Sequence, residues 1–453
     1  MCLATLGYNG PFFDEGIYVT AGLRILQGHG YSDGYLGWFA GSLLWPALAG
    51  SAYSIGGLLA ARFVATLCLG VALLVVSDVT RTVFGERAGL WATLAFALNG
   101  PVIALARLAV YDVVAVAGVA VSFWAIVQLA RRDNRAWLVL AALAFTAAAL
   151  SKYPSALMIL PLCGVLWALR RERAVLDIFA LGFISVALLL MLFLPAREQV
   201  GGLLAWQIRN KPTFGSTRPM MLFAALWFTL APALLACLGW RVAGSQRRLA
   251  TILSLSLLLW PAYHLLSGNP VGDSKHVILG YLFAYPLIGL ALATWSNVWK
   301  KPAVSIVITL ALAGFGYAQW YQLDRSWPDL RLGASYLNAH VRPGDRLLIN
   351  ESWPYTMYLY GFRRITSPWD VFDAYRVTNN ESPIGLCDYD WFVDTRGAYE
   401  WPAAVQAEVA RCGVFERVFS DANPVLRLGS DLRFVRYPIY TDIWRNASFG
   451  SLP

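Results

Sequence analysis

Apolar runs of membrane-spanning length recur along this chain, separated by short polar links. Counting stretches of about 17–25 apolar residues predicts helices near 54–77, 89–106, 113–130, 136–150, 155–169, 175–194, 220–240, 249–267, 277–298 and 303–320. Every second link is compact and basic: Arg81 and Arg87; Arg131, Arg132 and Arg135; Arg170, Arg171 and Arg173; Arg241, Arg247 and Arg248; Lys300 and Lys301. Lys and Arg collect in the cytoplasmic loops of membrane proteins, so this set marks the inner face. Residues 8–53, 107–112, 151–154, 195–219, 268–276 and everything after 321 then face outward. Span length and charge agree at every link.

The two ends of the chain depart from this pattern. Met1 to Pro11 reads as the stump of a spanning helix rather than a cleavable signal peptide. Residues 13–28 carry a helical stripe of Glu15, Val19, Leu23 and Leu26 and read as a short helix at the outer interface. Tyr35 to Ala49, with Trp38, Trp45 and Pro46, reads as a second. From about Asp324 charges of both signs become frequent. Leu332–Ala339 and Val405–Arg411 read as helices. Arg346–Asn350, Trp391–Asp394, Phe415–Phe419 and Leu432–Tyr437 read as strands, with a turn at Arg342-Pro343-Gly344-Asp345. Strands alternating with helices imply a small α/β domain. The expected fold is an all-α multi-spanning membrane bundle of about ten full spans plus a truncated first helix, over residues 1–323. Its outer-loop interfacial helices occupy about 13–49, and an extracytoplasmic α/β domain fills 324–453.

Composition sharpens this picture. Of the 453 residues 58% are hydrophobic and only 14% charged, against about 25% charged in soluble domains. A net charge of +9 would suit a nucleic-acid binder, but the excess sits in short clusters between apolar runs, where topology signals belong. Cys2, Cys68, Cys163 and Cys237 lie in or beside apolar runs and read as packing residues. Cys387 and Cys412 fall on the oxidising side, where they either pair or remain two buried thiols. No Cys/His metal spacing occurs.

The topology puts Asp14, Glu15, Asp33, Arg107, Asp112, Lys152, Arg209, Lys211, Asp273, Lys275 and His276 on one side, where distant acids and bases can share an outward cavity. The stretch Phe12-Phe13-Asp14-Glu15-Gly16-Ile17-Tyr18 is the most unusual, because acids at a membrane face are costly unless wetted, paired or used. Consecutive helical residues point about 100° apart, so Asp14 shares a face with Tyr18 and Glu15 points elsewhere.

An acidic pair in the first outer loop followed by a short interfacial helix resembles the GT-C glycosyltransferases. More narrowly it resembles glycosyltransferase family 39, the group of the protein O-mannosyltransferases and lipid A aminoarabinose transferases. Arg107-Leu-Ala-Val-Tyr-Asp112 resembles the family's second outer-loop acid. Ser151-Lys152-Tyr153-Pro154 resembles its Lys at an outer helix junction, and Lys275-His276-Val277 through Tyr285-Pro286 its basic-then-Pro helix start. The resemblance covers residues 8–320 and implies a polyprenyl-phosphate sugar donor and transfer with inversion. Its partners are a hydroxyl acceptor (protein, lipid or glycan) and membrane lipid, with no nucleic acid. The setting is the outer face of a bacterial cytoplasmic membrane.

The chemistry agrees with that. An attacking hydroxyl needs a carboxylate to take its proton, for which Asp14 is the candidate, with Glu15 and Asp112 as further catalytic acids. A departing phosphate needs cations; Arg107, Lys152, Lys275 and His276 are the candidates. Tyr18, Arg209 and Lys211 are further substrate contacts. A metal is not expected, although Asp14 and Asp112 offer oxygen ligands of the kind Mg²⁺ or Mn²⁺ would take. Plainer readings accompany each residue. Asp14 and Asp112 suit helix caps, Glu15 complements a helix N-terminus, and Lys152 suits snorkelling to headgroups. Lys275 and His276 have Asp273 as a salt-bridge partner, and His264 falls at a span end. The competing functions are a transporter or lipid flippase, which would carry mid-depth charges and repeated halves, and a non-catalytic scaffold of the same fold.

Overall fold

The computed structural model describes residues 3–30, 44–194, 197, 218–268, 272–299, 302–373, 377, 384–397, 401–429 and 431–449. Their contacts divide the chain into two units. One comprises Met1–Leu3, His29–Trp45 and Arg62–Leu323; the other comprises Ala4–Gly28, Pro46–Ala61 and Asp324–Pro453.

The first unit is helical. Its elements are α2 (Leu44–Phe84, of which Pro46–Ala61 is assigned to the other unit), α3 (Glu86–Ala97), α4 (Gly100–Leu105), α5 (Asp112–Arg132), α6 (Ala136–Ser151), α7 (Ile159–Arg170), α8 (Ala174–Phe193), α9 (Arg218–Val242), α10 (Arg247–Ser267), α11 (Asp273–Trp299) and α12 (Pro302–Asp324). Each expected apolar run falls on helix. Among the described residues six helical stretches are long and apolar enough to cross a membrane, and the protein is a multi-pass membrane protein. Two of the expected runs are interrupted. Gly57, at φ +64°, breaks α2 about a third of the way along. The run 89–106 divides into α3 and α4 at Asn99, whose side chain accepts from Val102 N–H at 3.2 Å and restarts the helix.

Burial separates helices that hydropathy does not. The most apolar window of α11 is 89% buried, while α8 exposes Leu176, Phe179, Phe183 and Met191. Close packing around α11 relies on small residues, as membrane helices do: a Cβ added at Gly289 would lie 2.3 Å from the Ala88 carbonyl oxygen.

The second unit contains α1 (Phe13–Arg24), continued by a wider turn over Ile25–His29, and the C-terminal α/β region. That region comprises α13 (Arg331–His340), β1 (Leu347–Ile349), α14 (Ser352–Gly361), β2 (Val371–Phe372), β3 (Trp391–Arg396), α15 (Ala403–Cys412), β4 (Phe415–Ala422), β5 (Val425–Leu428), β6 (Phe434–Tyr437) and β7 (Tyr440–Asn446). A five-stranded sheet has the order β2-β1-β3-β7-β4, and β5 pairs with β6. The first three strands are parallel; β7 is antiparallel to both β3 and β4. Leu348, Phe372, Tyr389, Phe392, Trp401 and Val405 form its apolar core. Cys387 and Cys412 form a disulfide. Of the second interfacial helix expected over 35–49, only 44–49 lies within the described residues, at the start of α2.

Candidate active site

The described residues bring four of the expected side chains together in the first unit. α5 and α6 form a helical hairpin closed by Asp133, which takes a left-handed conformation at the C-terminus of α5. An antiparallel hairpin returns the end of α6 to the start of α5. Asp112, the first residue of α5, and Lys152, the residue after α6, therefore meet although 40 positions separate them. Lys152 Nζ is hydrogen-bonded to Asp112 Oδ1. The pair is 6% and 3% exposed at the side chains, and the other Asp112 oxygen has no hydrogen-bond partner among the described residues. The Lys152 backbone is fixed as well. Its N–H donates to Ala148 O at 2.9 Å, and its carbonyl accepts from both the N–H and the hydroxyl of Ser155. Its ammonium also stands 5.0 Å from the Tyr111 ring centroid.

α11 supplies the rest of the cluster. Lys275 lies within electrostatic range of Asp112, and Lys152 and Lys275 both act on His276. His276 is buried and its Nδ1 is 2.8 Å from His264 Nε2. The two rings stack at 5.0 Å, and the Trp260 ring lies 4.6 Å from His276. Asp273 Oδ1 is 4.0 Å from His264 Nε2. Sequence reading missed His264 as a partner. The available signal was a His in the last turn of an apolar helix, facing a second His across a short link.

Arg107 is buried, with its guanidinium 5.1 Å from the Trp320 ring. Residues 106–111, which carry it, form an irregular segment between α4 and α5. Thr66 and Trp45 hold that segment by donating to the carbonyls of Ala106 and Ala109 at 2.7 and 3.1 Å.

Asp14, Glu15 and Tyr18 belong to the second unit, on α1. Glu15 is fully buried, and its Oε2 accepts from Phe12 N–H at 2.8 Å. The helix starts at Phe13, so the terminal cap comes from Glu15 and not from Asp14. Tyr18 is buried, whereas Asp14 is half-buried. The helical phase thus separates the two acids as expected. Arg209 and Lys211 lie outside the described residues. Among the described residues no group of three or more His, Cys, Asp or Glu side chains is placed to hold a metal ion.

Comparison with known proteins matches residues 46–196 to the dolichyl-phosphate-mannose-protein mannosyltransferase family. No curated protein sequence matches the chain. Among solved structures the chain is similar to apo ArnT from Cupriavidus metallidurans, at 13% identity and a TM-score of 0.65, over 100% of this chain and 97% of that one. It is also similar to the Archaeoglobus fulgidus oligosaccharyltransferase in complex with Zn and sulfate, at 13% identity and a TM-score of 0.54. That match covers 94% of this chain and 69% of that one. At these identities the structural likeness is one of fold. The family match over 46–196 and the fold shared with ArnT along the whole chain agree with the resemblance read from the sequence.

Proposed function

We propose that the protein transfers a sugar from a polyprenyl-phosphate donor to a hydroxyl acceptor, with inversion, at the outer face of a bacterial cytoplasmic membrane. The observation that carries this reading is the placing of two lysines at the buried Asp112, Lys152 bonded to it and Lys275 in electrostatic range, with His276 in range of both lysines. Cations gathered in a buried place suit a group that becomes more negative as a reaction proceeds.

In this reading the acceptor oxygen bonds to the anomeric carbon as the bond from that carbon to the phosphate oxygen breaks. Asp14 takes the hydroxyl proton. The departing polyprenyl phosphate keeps the electron pair, and its charge is received by Lys152 and Lys275, with His276 hydrogen-bonded to His264 beside them. Asp112 keeps Lys152 oriented and supplies a counter-charge before substrate arrives. Arg107, Tyr18, Arg209 and Lys211 are assigned to substrate contacts, and Glu15 supports Asp14 by fixing the helix start. The phosphate is met by side chains rather than by a metal.

The test is Asp14→Asn in membranes supplied with radiolabelled polyprenyl-phosphate sugars. Removing a general base costs about 10²–10⁴-fold, so transfer is expected to fall by that much while the donor still binds. Full transfer by Asp14→Asn would overturn the assignment.

A further inference from the structure

Asp14 sits in the first turn of a helix that is gripped on both sides of it by one part of its own unit. Before α1, residues 7–12 run as a strap along residues 324–331, more than 300 positions later in the sequence. Arg331 donates to the carbonyls of Gly7 and Tyr8 at 2.8 and 3.3 Å, and Asp329 holds its guanidinium through contacts of 2.9 and 3.0 Å. Asn9 donates to Asp324 O at 2.9 Å, and Trp327 Nε1 to Gly10 O at 3.3 Å. Phe12 meets the Trp327 ring edge-on at 5.2 Å.

After Asp14 the contacts pass to the start of α14. A Cβ added at Gly16 would lie 2.5 Å from the Trp353 carbonyl carbon and oxygen and 2.8 Å from Pro354 N. The backbone of α1 therefore rests directly on the backbone of α14, with no side chain between them. Side-chain contacts can slide through rotamer changes, but backbone-on-backbone contacts cannot. Further along, Gln27 and the Tyr360 hydroxyl of α14 are hydrogen-bonded.

We propose that the C-terminal α/β region positions the base: Gly16, through its seat on Trp353–Pro354, and Arg331, through the strap, set where the Asp14 carboxylate stands. The proposal rests on the reading of Asp14 as the base. Neither residue is a catalytic residue. Both act through the placement of α1, where a displacement of about 1 Å can cost about 10²-fold in rate.

A double-mutant cycle on the full-length chain in membranes separates positioning from simple stability. Gly16→Ala is expected to lower kcat about 10- to 100-fold with KM for the donor unchanged. Arg331→Ala, at a partly exposed side chain, is expected to lower kcat less and in the same way. Placed on Asp14→Asn, each is expected to add almost nothing, because no base remains to misplace. Unchanged kcat in both variants, or losses that multiply with that of Asp14→Asn, would overturn the positioning role. If Gly16→Ala fails to fold, the Arg331→Ala arm decides by the same criterion. Full turnover by Asp14→Asn alone would instead sink the base reading, so the two failures are distinguishable.

Discussion

The two units each bury a carboxyl group, and they do so in opposite ways. Asp112, at the mouth of the α5–α6 hairpin, has Lys152 bonded to it and Lys275 in electrostatic range. Glu351, just past the end of β1, is 2% exposed and has an oxygen with no hydrogen-bond partner among the described residues. Its carboxyl is pushed up from 4.5 to about 8 by burial, and Arg427 opposes this only weakly. A buried acid is tolerated when it is paired or when it keeps its proton. The first solution stores fixed charge and suits a site that must receive an anion. The second stores none and makes stability depend on pH.

The largest expected effect comes from unpairing Asp112. Lys152→Met leaves a buried carboxylate without its cation, which costs about 3–5 kcal/mol, and sugar transfer should be lost. Replacing both partners, Asp112→Leu with Lys152→Met, should recover most of the stability but none of the transfer. Thermal unfolding in detergent beside the transfer assay reads both. Equal destabilisation by the single and double variants would mean that the pair is not what holds this end of the hairpin.

Glu351 should produce a smaller, pH-dependent effect of definite sign. The folded state holds this proton more tightly than the unfolded chain. Its stability is therefore greatest below about 4.5 and falls as pH rises toward about 8. Between about pH 5 and pH 7 the loss should reach about 2–3 kcal/mol. Glu351→Gln should flatten that slope when unfolding is followed across pH. A slope that survives the substitution would show that Glu351 is not its source.

The smallest effect is the control that neither acid explains. Phe183 on α8 is 76% exposed, so Phe183→Ala should change stability by no more than about 0.5 kcal/mol. Gly289→Leu on α11, against the Ala88 backbone, should cost about 1–3 kcal/mol. Similar values for the two would break the distinction between a peripheral and a central helix.

Much of the helical unit was legible in the sequence, because hydropathy and loop charge report the same boundary from independent physics. The breaks at Gly57 and Asn99 were not, since an apolar run looks the same whether its helix is continuous or restarted. In the α/β region β1, β3, β4 and β6 were legible from apolar and β-branched runs. Strand β7 was missed because Tyr440-Thr-Asp-Ile-Trp-Arg-Asn446 mixes charges into its alternation. Helix α14 was missed because its Tyr-rich composition has no clear helical stripe. Cys387 and Cys412 were candidates for pairing from their compartment alone, and the fold brings their Cα atoms to 5.4 Å.

The stretch around Asp14 shows where the two levels part. Local sequence was enough to give a short helix near the N-terminus with two acids on different faces, because helical phase depends only on neighbouring residues. It was also enough to put Asp112, Lys152, Lys275 and His276 at helix ends of one sidedness, because topology depends on counting spans and charges. Only tertiary structure decided that Lys152 bonds Asp112 and that His264 pairs with His276. It alone seated Gly16 on the backbone of Trp353 and Pro354. Most of these contacts join residues distant in the chain, and all are set by side-chain reach and backbone approach after packing, which no periodicity in the sequence encodes.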